Sequence, residues 1–151
     1  MIIGFDLDGV LAEASISLFR VADQFSESVT KEIYTWSFKT AKLLVNPMEW
    51  LMEGDEFIII TARPNYMKRI TKKWVKRYCP NCKKILHVNM PLLTGKVGNE
   101  VFEWLDELAR RKAVVINEEK VDIYIDDSSY AVKKLRELCP KVKIINYGGR
   151  V

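Results

Sequence analysis

Asp6 and Asp8 stand two residues apart just past an apolar run, Met1–Phe5, and Gly9 follows at once. Two carboxylates that leave a strand together face one spot. There they can hold a hard cation such as Mg²⁺ through oxygen, and one of them can act as a nucleophile. Gly9 permits the sharp exit of the chain. An isolated Asp-x-Asp-Gly also serves as a plain acidic turn, and the apolar strand before it is what favours chemistry. A second acidic pair, Asp126-Asp127, directly follows Ile123-Tyr124-Ile125. Adjacent carboxylates at the end of a buried strand are costly unless a cation or donors satisfy them, and a helix N-terminus at Ser128-Ser129 would satisfy them in part. Thr61 closes the apolar run Phe57–Ile60 and precedes Ala62-Arg63-Pro64. Its hydroxyl can bond a phosphoryl oxygen or cap the local chain. A lysine ahead of the fourth run, Lys112 or Lys120, could offset the negative charge, but among 24 basic residues neither stands out by type alone.

The elements that must position these residues follow from apolar patterning. Five short runs read as strands: Ile2–Asp6, Phe57–Thr61, Ile85–Asn89, Ile123–Asp126 and Lys143–Tyr147. The first, second and fourth are apolar at nearly every position, as strands of a parallel sheet covered on both faces are. Helix-period segments lie between them, at about Asn65–Tyr78, Val97–Arg110 and from Ser128 to a stop before Pro140. Strand–helix alternation predicts an α/β fold, a doubly wound parallel sheet of about five strands. Residues 12–55 break the alternation and predict a small helical cap inserted after the first strand. Its helices are expected around Ile16–Phe25, over Lys31–Val45, and after the cap-like Asn46-Pro47-Met48-Glu49. The core would then comprise 1–11 and 56–151. An insertion at that point sits over the carboxyl edge of the sheet, where open α/β folds bind ligands.

The order of the four features resembles the haloacid dehalogenase (HAD) superfamily over essentially the whole chain. Phe5-Asp6-Leu7-Asp8-Gly9-Val10 is similar to its first motif, Ile58-Ile59-Ile60-Thr61-Ala62-Arg63-Pro64 to its second, and Ile123-Tyr124-Ile125-Asp126-Asp127 to its fourth. The resemblance implies a Rossmann-like phosphatase in which Asp6 is the nucleophile and forms an aspartyl-phosphate. Asp8 would protonate the leaving oxygen and later activate water, with its carbonyl on the metal. Thr61, with Ala62 and Arg63, would bind the phosphoryl group or another substrate anion. Asp6, Asp8, Asp126 and Asp127 would hold Mg²⁺. Lys112 fits the family's spacing before the fourth motif better than Lys120, and would be the catalytic lysine. Members that act on carbon–halogen bonds lack the second aspartate, so Asp8 implies phosphate esters.

Small capped members with these motifs resemble 5′-nucleotidases, which implies a small phosphorylated substrate such as a nucleotide. Trp36, Phe38 and Trp50 could stack on a base, or pack the cap's own core. A polynucleotide end is the alternative substrate, because Lys68, Arg69, Lys72, Lys73, Lys76 and Arg77 crowd one helix with no acidic residue. That stripe is also what a solvated outer face looks like. A non-catalytic nucleic-acid-binding protein on the same fold is the rival class, and a phosphoryl mutase would use the same carboxylates. Composition excludes more than it selects. With 48% hydrophobic and 29% charged residues and a net charge of +4, the chain reads as an ordinary globular protein. Its apolar runs are strand-sized and no basic-then-apolar leader precedes the first, so no membrane partner and a cytoplasmic location are expected. Cys79, Cys82 and Cys139 cannot all pair within one molecule, and Cys79-Pro80-Asn81-Cys82 makes at most half a zinc site.

Overall fold

Strands buried on both faces set the architecture. The computed structural model describes residues 1–13, 25–91, 93 and 96–150. Five strands, β1 (Ile2–Phe5), β2 (Glu56–Thr61), β3 (Ile85–His87), β4 (Ile123–Ser128) and β5 (Lys143–Arg150), form one sheet in the order β3-β2-β1-β4-β5. Every neighbouring pair is parallel. Along β2, Phe57 and Ile59 enter one core with Ile3, Phe5 and Trp74. Ile58 and Ile60 enter the other, with Leu108, Ile116, Tyr124 and Leu135. A strand whose alternate residues serve two cores has no polar face, which is why these runs are apolar throughout.

Four helices are described: α1 (Glu27–Thr40), α2 (Lys68–Tyr78), α3 (Asn99–Glu118) and α4 (Ser129–Leu138). α2 covers the first face of the sheet with Trp74 and Val75, while α3 and α4 cover the second. This is the doubly wound α/β fold expected. Strand order reverses between β1 and β4, so their carboxyl ends flank the crevice where such sheets bind ligands.

Two helix boundaries differ from expectation. The helix expected to end near Arg110 runs on to Glu118, because Ala113 and Ile116 continue the buried spacing of Leu108 and Ala109. Lys112 is therefore inside α3. α3 ends in a Schellman turn: Lys120 takes a left-handed φ of 54°, its N–H reaches Asn117 O at 3.2 Å, and Val121 N–H reaches Ile116 O at 3.0 Å. The helix expected over Lys31–Val45 instead ends at Thr40. The chain straightens there so that Leu43 can pair antiparallel with Ala12, with Glu13 N–H on Lys42 O and Leu44 N–H on Leu11 O, both at 2.8 Å. Entry and exit of the insertion are thus stitched together.

The cap-like Asn46 accepts the Met48 N–H at 3.1 Å and opens a short 3-10 turn, Pro47–Trp50. The first expected cap helix falls on residues 14–24, which lie outside the described residues. α1 is fastened to the core: Tyr34 and Phe38 cluster with Met67, and Trp74 donates to Ala41 O at 2.7 Å. No helix among the described residues is long and apolar enough to cross a membrane.

Candidate active site

Asp6 extends the β1–β4 ladder one residue past β1 by donating its N–H to Ile125 O at 2.8 Å. The chain then makes a single helical turn, with Leu11 and Ala12 N–H groups both returning to Leu7 O at 3.0 and 2.8 Å. That turn lifts Asp8 to a different neighbourhood from Asp6. Gly9 has φ +93°, and a Cβ there would run into the Asp127 carboxylate. Only glycine lets the first acidic segment close on the second. At the end of β4, Asp126 is 1% exposed and accepts the Ser128 N–H at 3.0 Å, while Ser128 Oγ caps α4 by accepting the Ala131 N–H at 3.2 Å. Carboxylate oxygens of Asp6, Asp126 and Asp127 lie within 4.8 Å of one another.

Lys112 reaches into this cluster from α3. Its Nζ donates to Asp126 Oδ2 at 2.7 Å and to Asp6 Oδ1 at 3.0 Å. The ammonium stands 5.7 Å from the centre of the Tyr124 ring. Tyr124 fits there because β1 carries glycine beneath it: a Cβ on Gly4 would stand 2.8 Å from Tyr124 Cδ2. Lys120, by contrast, is exposed at the turn after α3.

Charge in this cavity is unbalanced. Burial, reinforced by Asp126, Asp127 and Asp8 and opposed by Lys112, pushes the Asp6 carboxyl well above its ordinary range. Burial works against the Lys112 ammonium too, but Asp126 and Asp6 outweigh it and hold its pKa well above the usual value. Burial likewise drives the Tyr124 phenol up, so its hydroxyl is not an acid here.

Asp8 has a separate partner. Arg63 Nε donates to its Oδ2 at 2.8 Å and Arg63 Nη2 to its Oδ1 at 2.6 Å, a two-point clasp. Arg63 was expected to reach a substrate anion. It is instead 2% exposed, with Nη1 on Thr71 Oγ1 at 3.3 Å and its guanidinium 4.2 Å from the centre of the Phe38 ring. Its planar fork matches a carboxylate, and Asp8 is the carboxylate within reach. Thr61 is buried at the end of β2, where its Oγ1 accepts the Arg63 N–H at 3.2 Å. Ala62 is half-buried beside it. His87, level with Thr61 across β2 and β3, bonds through Nδ1 to Arg63 O at 2.9 Å.

The structure therefore gathers Asp6, Asp126, Asp127 and Lys112 at one point, and pairs Asp8 with Arg63 beside them. Gly4 and Thr71 support these groups and carry no signal in the sequence, since each looks like an ordinary core or turn residue. Of the aromatics expected to line a pocket, Phe38 is buried under Arg63, Trp36 is exposed, and Trp50 packs edge-on to Phe5 and Tyr147. A cleft of about 720 Å³ at this edge is lined instead by residues that include Lys31, Tyr66, Asn89 and Arg111. The three cysteines are free thiols, and burial pushes Cys79 up to about 12 and Cys82 to about 11.

The donor set suits a hard divalent cation. Three convergent carboxylates offer oxygen alone, which Mg²⁺ prefers and softer metals do not require. Four site carboxylates face two cationic side chains, so a charge of +2 would balance the cavity.

No family model matches this chain, and no curated protein matches it. Solved structures do resemble it. One chain of the Pnkp1/Rnl/Hen1 RNA repair complex superposes with a TM-score of 0.60 at 16% identity, over 96% of this chain and 41% of that one. The present chain thus spans about two fifths of that relative's length. A HAD-superfamily hydrolase of subfamily IA from Geobacter sulfurreducens gives 0.57 at 10% identity, over 99% of this chain and 88% of that one. A HAD family enzyme from Bacteroides thetaiotaomicron, in complex with magnesium and inorganic phosphate, gives 0.52 at 13% identity, over 96% and 92%. At these identities the likeness is one of fold: a five-stranded parallel Rossmann-like sheet shared with HAD hydrolases.

Proposed function

We propose that the chain is a magnesium-dependent phosphomonoesterase that uses Asp6 as a nucleophile. The observation that carries this reading is the meeting of Asp6, Asp126, Asp127 and Lys112 at the switch point of the sheet, with Asp8 held just outside that cluster. In the first half-reaction an Asp6 oxygen attacks phosphorus and the ester P–O bond breaks. With one oxygen still held by Arg63, Asp8 gives the proton carried on its other oxygen to the departing oxygen, leaving an alcohol and an aspartyl-phosphate. In the second, a water loses a proton to Asp8 and attacks phosphorus. The acyl phosphate bond breaks, and inorganic phosphate and the Asp6 carboxylate are regenerated.

Asp6, Asp126, Asp127 and the Asp8 carbonyl would hold Mg²⁺, which would offset the repulsion between an anionic nucleophile and an anionic substrate. Lys112 adds a fixed cation that bridges Asp6 and Asp126 and keeps Asp6 aimed. The Thr61 hydroxyl accepts from the Arg63 backbone and has its own proton to donate to a phosphoryl oxygen. The preferred substrate class is a nucleotide or a comparable phosphate ester. The fold shared with part of an RNA repair complex keeps a polynucleotide end within that class.

The test is phosphate release from a generic aryl phosphate, with magnesium, with chelator and with Asp6→Asn. Release that needs both magnesium and Asp6 is expected. Release that survives in Asp6→Asn would sink the reading.

A further inference from the structure

From Lys68 to Lys84 the chain carries eight lysines and arginines and no acidic residue. The whole molecule has a net charge of only +4, so the rest of it is slightly acidic and positive charge is concentrated here. The fold then bends this segment into a trough. A groove of about 520 Å³ runs along α2, with Lys68, Lys72 and Lys76 on one wall and Lys83, Lys84 and His87 on the other.

Lys83 and Lys84 have acidic partners, Glu56 at 3.1 Å and Glu119 at 2.7 Å. Lys68, Lys72 and Lys76 make no ion pair among the described residues. Like charges at i, i+4 spacing destabilise a helix, so nothing in the fold itself favours three in a row. They span roughly 12 Å along the helix, a line of charge rather than a point.

One end of this line reaches the catalytic edge. His87, in the wall of the groove, is in register with Thr61 on the adjacent strand and is bonded to the carbonyl of Arg63, the residue that clasps Asp8. A chain of phosphates lying in the trough would arrive beside the acidic site with its terminal group foremost.

We propose that the groove between α2 and β3 binds the backbone of a single-stranded polynucleotide, whose terminal phosphomonoester enters the Asp6 site. The substrate is then a polynucleotide end rather than a free nucleotide. This rests on the phosphomonoesterase reading but is tested apart from it. A concave trough with a line of charge fits a single flexible strand better than a flat array of lipid headgroups.

The experiment compares the unaltered chain with a Lys68→Gln/Lys72→Gln/Lys76→Gln variant and a control, Lys133→Gln/Lys141→Gln/Lys143→Gln, whose exposed lysines lie outside the groove. Oligonucleotides of about eight residues, DNA and RNA, phosphorylated at either end, are titrated by fluorescence anisotropy across a salt series. Phosphate release from the same oligonucleotides and from an aryl phosphate is measured on the same preparations.

The groove variant should bind at least tenfold more weakly. Its plot of log affinity against log salt should be shallower by about two, since each single-strand phosphate contact contributes ~0.7. The ratio of kcat/KM on oligonucleotide to that on aryl phosphate should fall at least tenfold, and the control should keep it. If the aryl phosphate is hydrolysed but the groove variant keeps binding, salt slope and ratio, the groove proposal is wrong and the phosphatase reading stands. If no substrate releases phosphate, the phosphatase reading falls, while salt-dependent binding still decides the groove. Binding to anionic lipid vesicles without binding to oligonucleotide would overturn the polynucleotide assignment.

Discussion

Asp6 faces opposite demands from folding and from chemistry. Burial raises its pKa above the ordinary 3.8, so the folded chain holds that proton more tightly than the unfolded one does. The stability this contributes is fully present below the unfolded value and is lost as pH rises through the folded one. In chelator at neutral pH, well above the unfolded value, keeping Asp6 in its buried place therefore weighs against the fold. Asp6→Asn should melt at a higher temperature than the unaltered chain under those conditions, and the gap should close as the pH falls toward 4. Magnesium should raise the melting temperature of the unaltered chain more than that of the variant. A variant that melts lower in chelator would show that the Lys112 contact outweighs burial and repulsion together.

Arg63 yields a second prediction on the same scale. If its clasp orients Asp8 for proton transfer, Arg63→Ala should slow esters with poor leaving groups far more than esters with good ones. Phenyl phosphate should lose on the order of 100-fold in kcat, the scale of general acid catalysis, while dinitrophenyl phosphate should change little. Lysine offers one point of contact where arginine offers two, so Arg63→Lys should restore only part of the loss. A rise in KM alone, equal for all esters, would mark Arg63 as a substrate contact instead.

On the scale of elements, the site depends on how closely neighbouring strands and helices approach. Gly4 in β1 leaves the space that the Tyr124 ring of β4 fills, and Lys112 of α3 lies over that ring. Gly4→Ala should cost about 1–3 kcal/mol by overpacking and should also reduce turnover by displacing Lys112. Denaturant unfolding and phosphate release on one preparation measure both. At the far end of α3, Lys120 adopts a backbone conformation that L-residues avoid at a cost of roughly 1 kcal/mol. Lys120→Gly should raise the melting temperature by about 2–4 °C and leave turnover as it was. Lost turnover would restore Lys120 as the charge-offsetting lysine.

Part of this arrangement was legible in the sequence. The strands were, because each buries both faces and repeats apolar residues without interruption. The carboxylates were, because charge directly after such a run has few structural uses. The Arg63 clasp was not: a guanidinium after a strand reads as a substrate contact until the partner 55 residues away is seen. Nor was the full length of α3, since Arg110 and Arg111 look like a helix end and only Ala113 and Ile116 carry its buried face onward.

At the scale of the whole molecule, the inserted stretch and the core share their side chains. Phe38 of α1 lies against Arg63, and Trp74 of α2 donates to Ala41 at the end of α1. Shape changes in the insertion would therefore be felt at Asp8. The sheet order has a further consequence, in time rather than in space. β1 is the central strand, and it pairs with β2 and with β4; just ahead of β4 the Asp122 carboxylate accepts the Ile2 N–H, a bond that spans 120 residues. Contacts so distant in sequence form late, after the loop between them has closed. A nascent chain that has emerged only to the end of α3 already contains Asp6, Asp8, Arg63 and Lys112 but has no Asp126 or Asp127. It should release no phosphate. On the proposed reading, hydrolytic capacity would switch on only when β4 docks, so Asp6 would not serve as a nucleophile in a half-made protein.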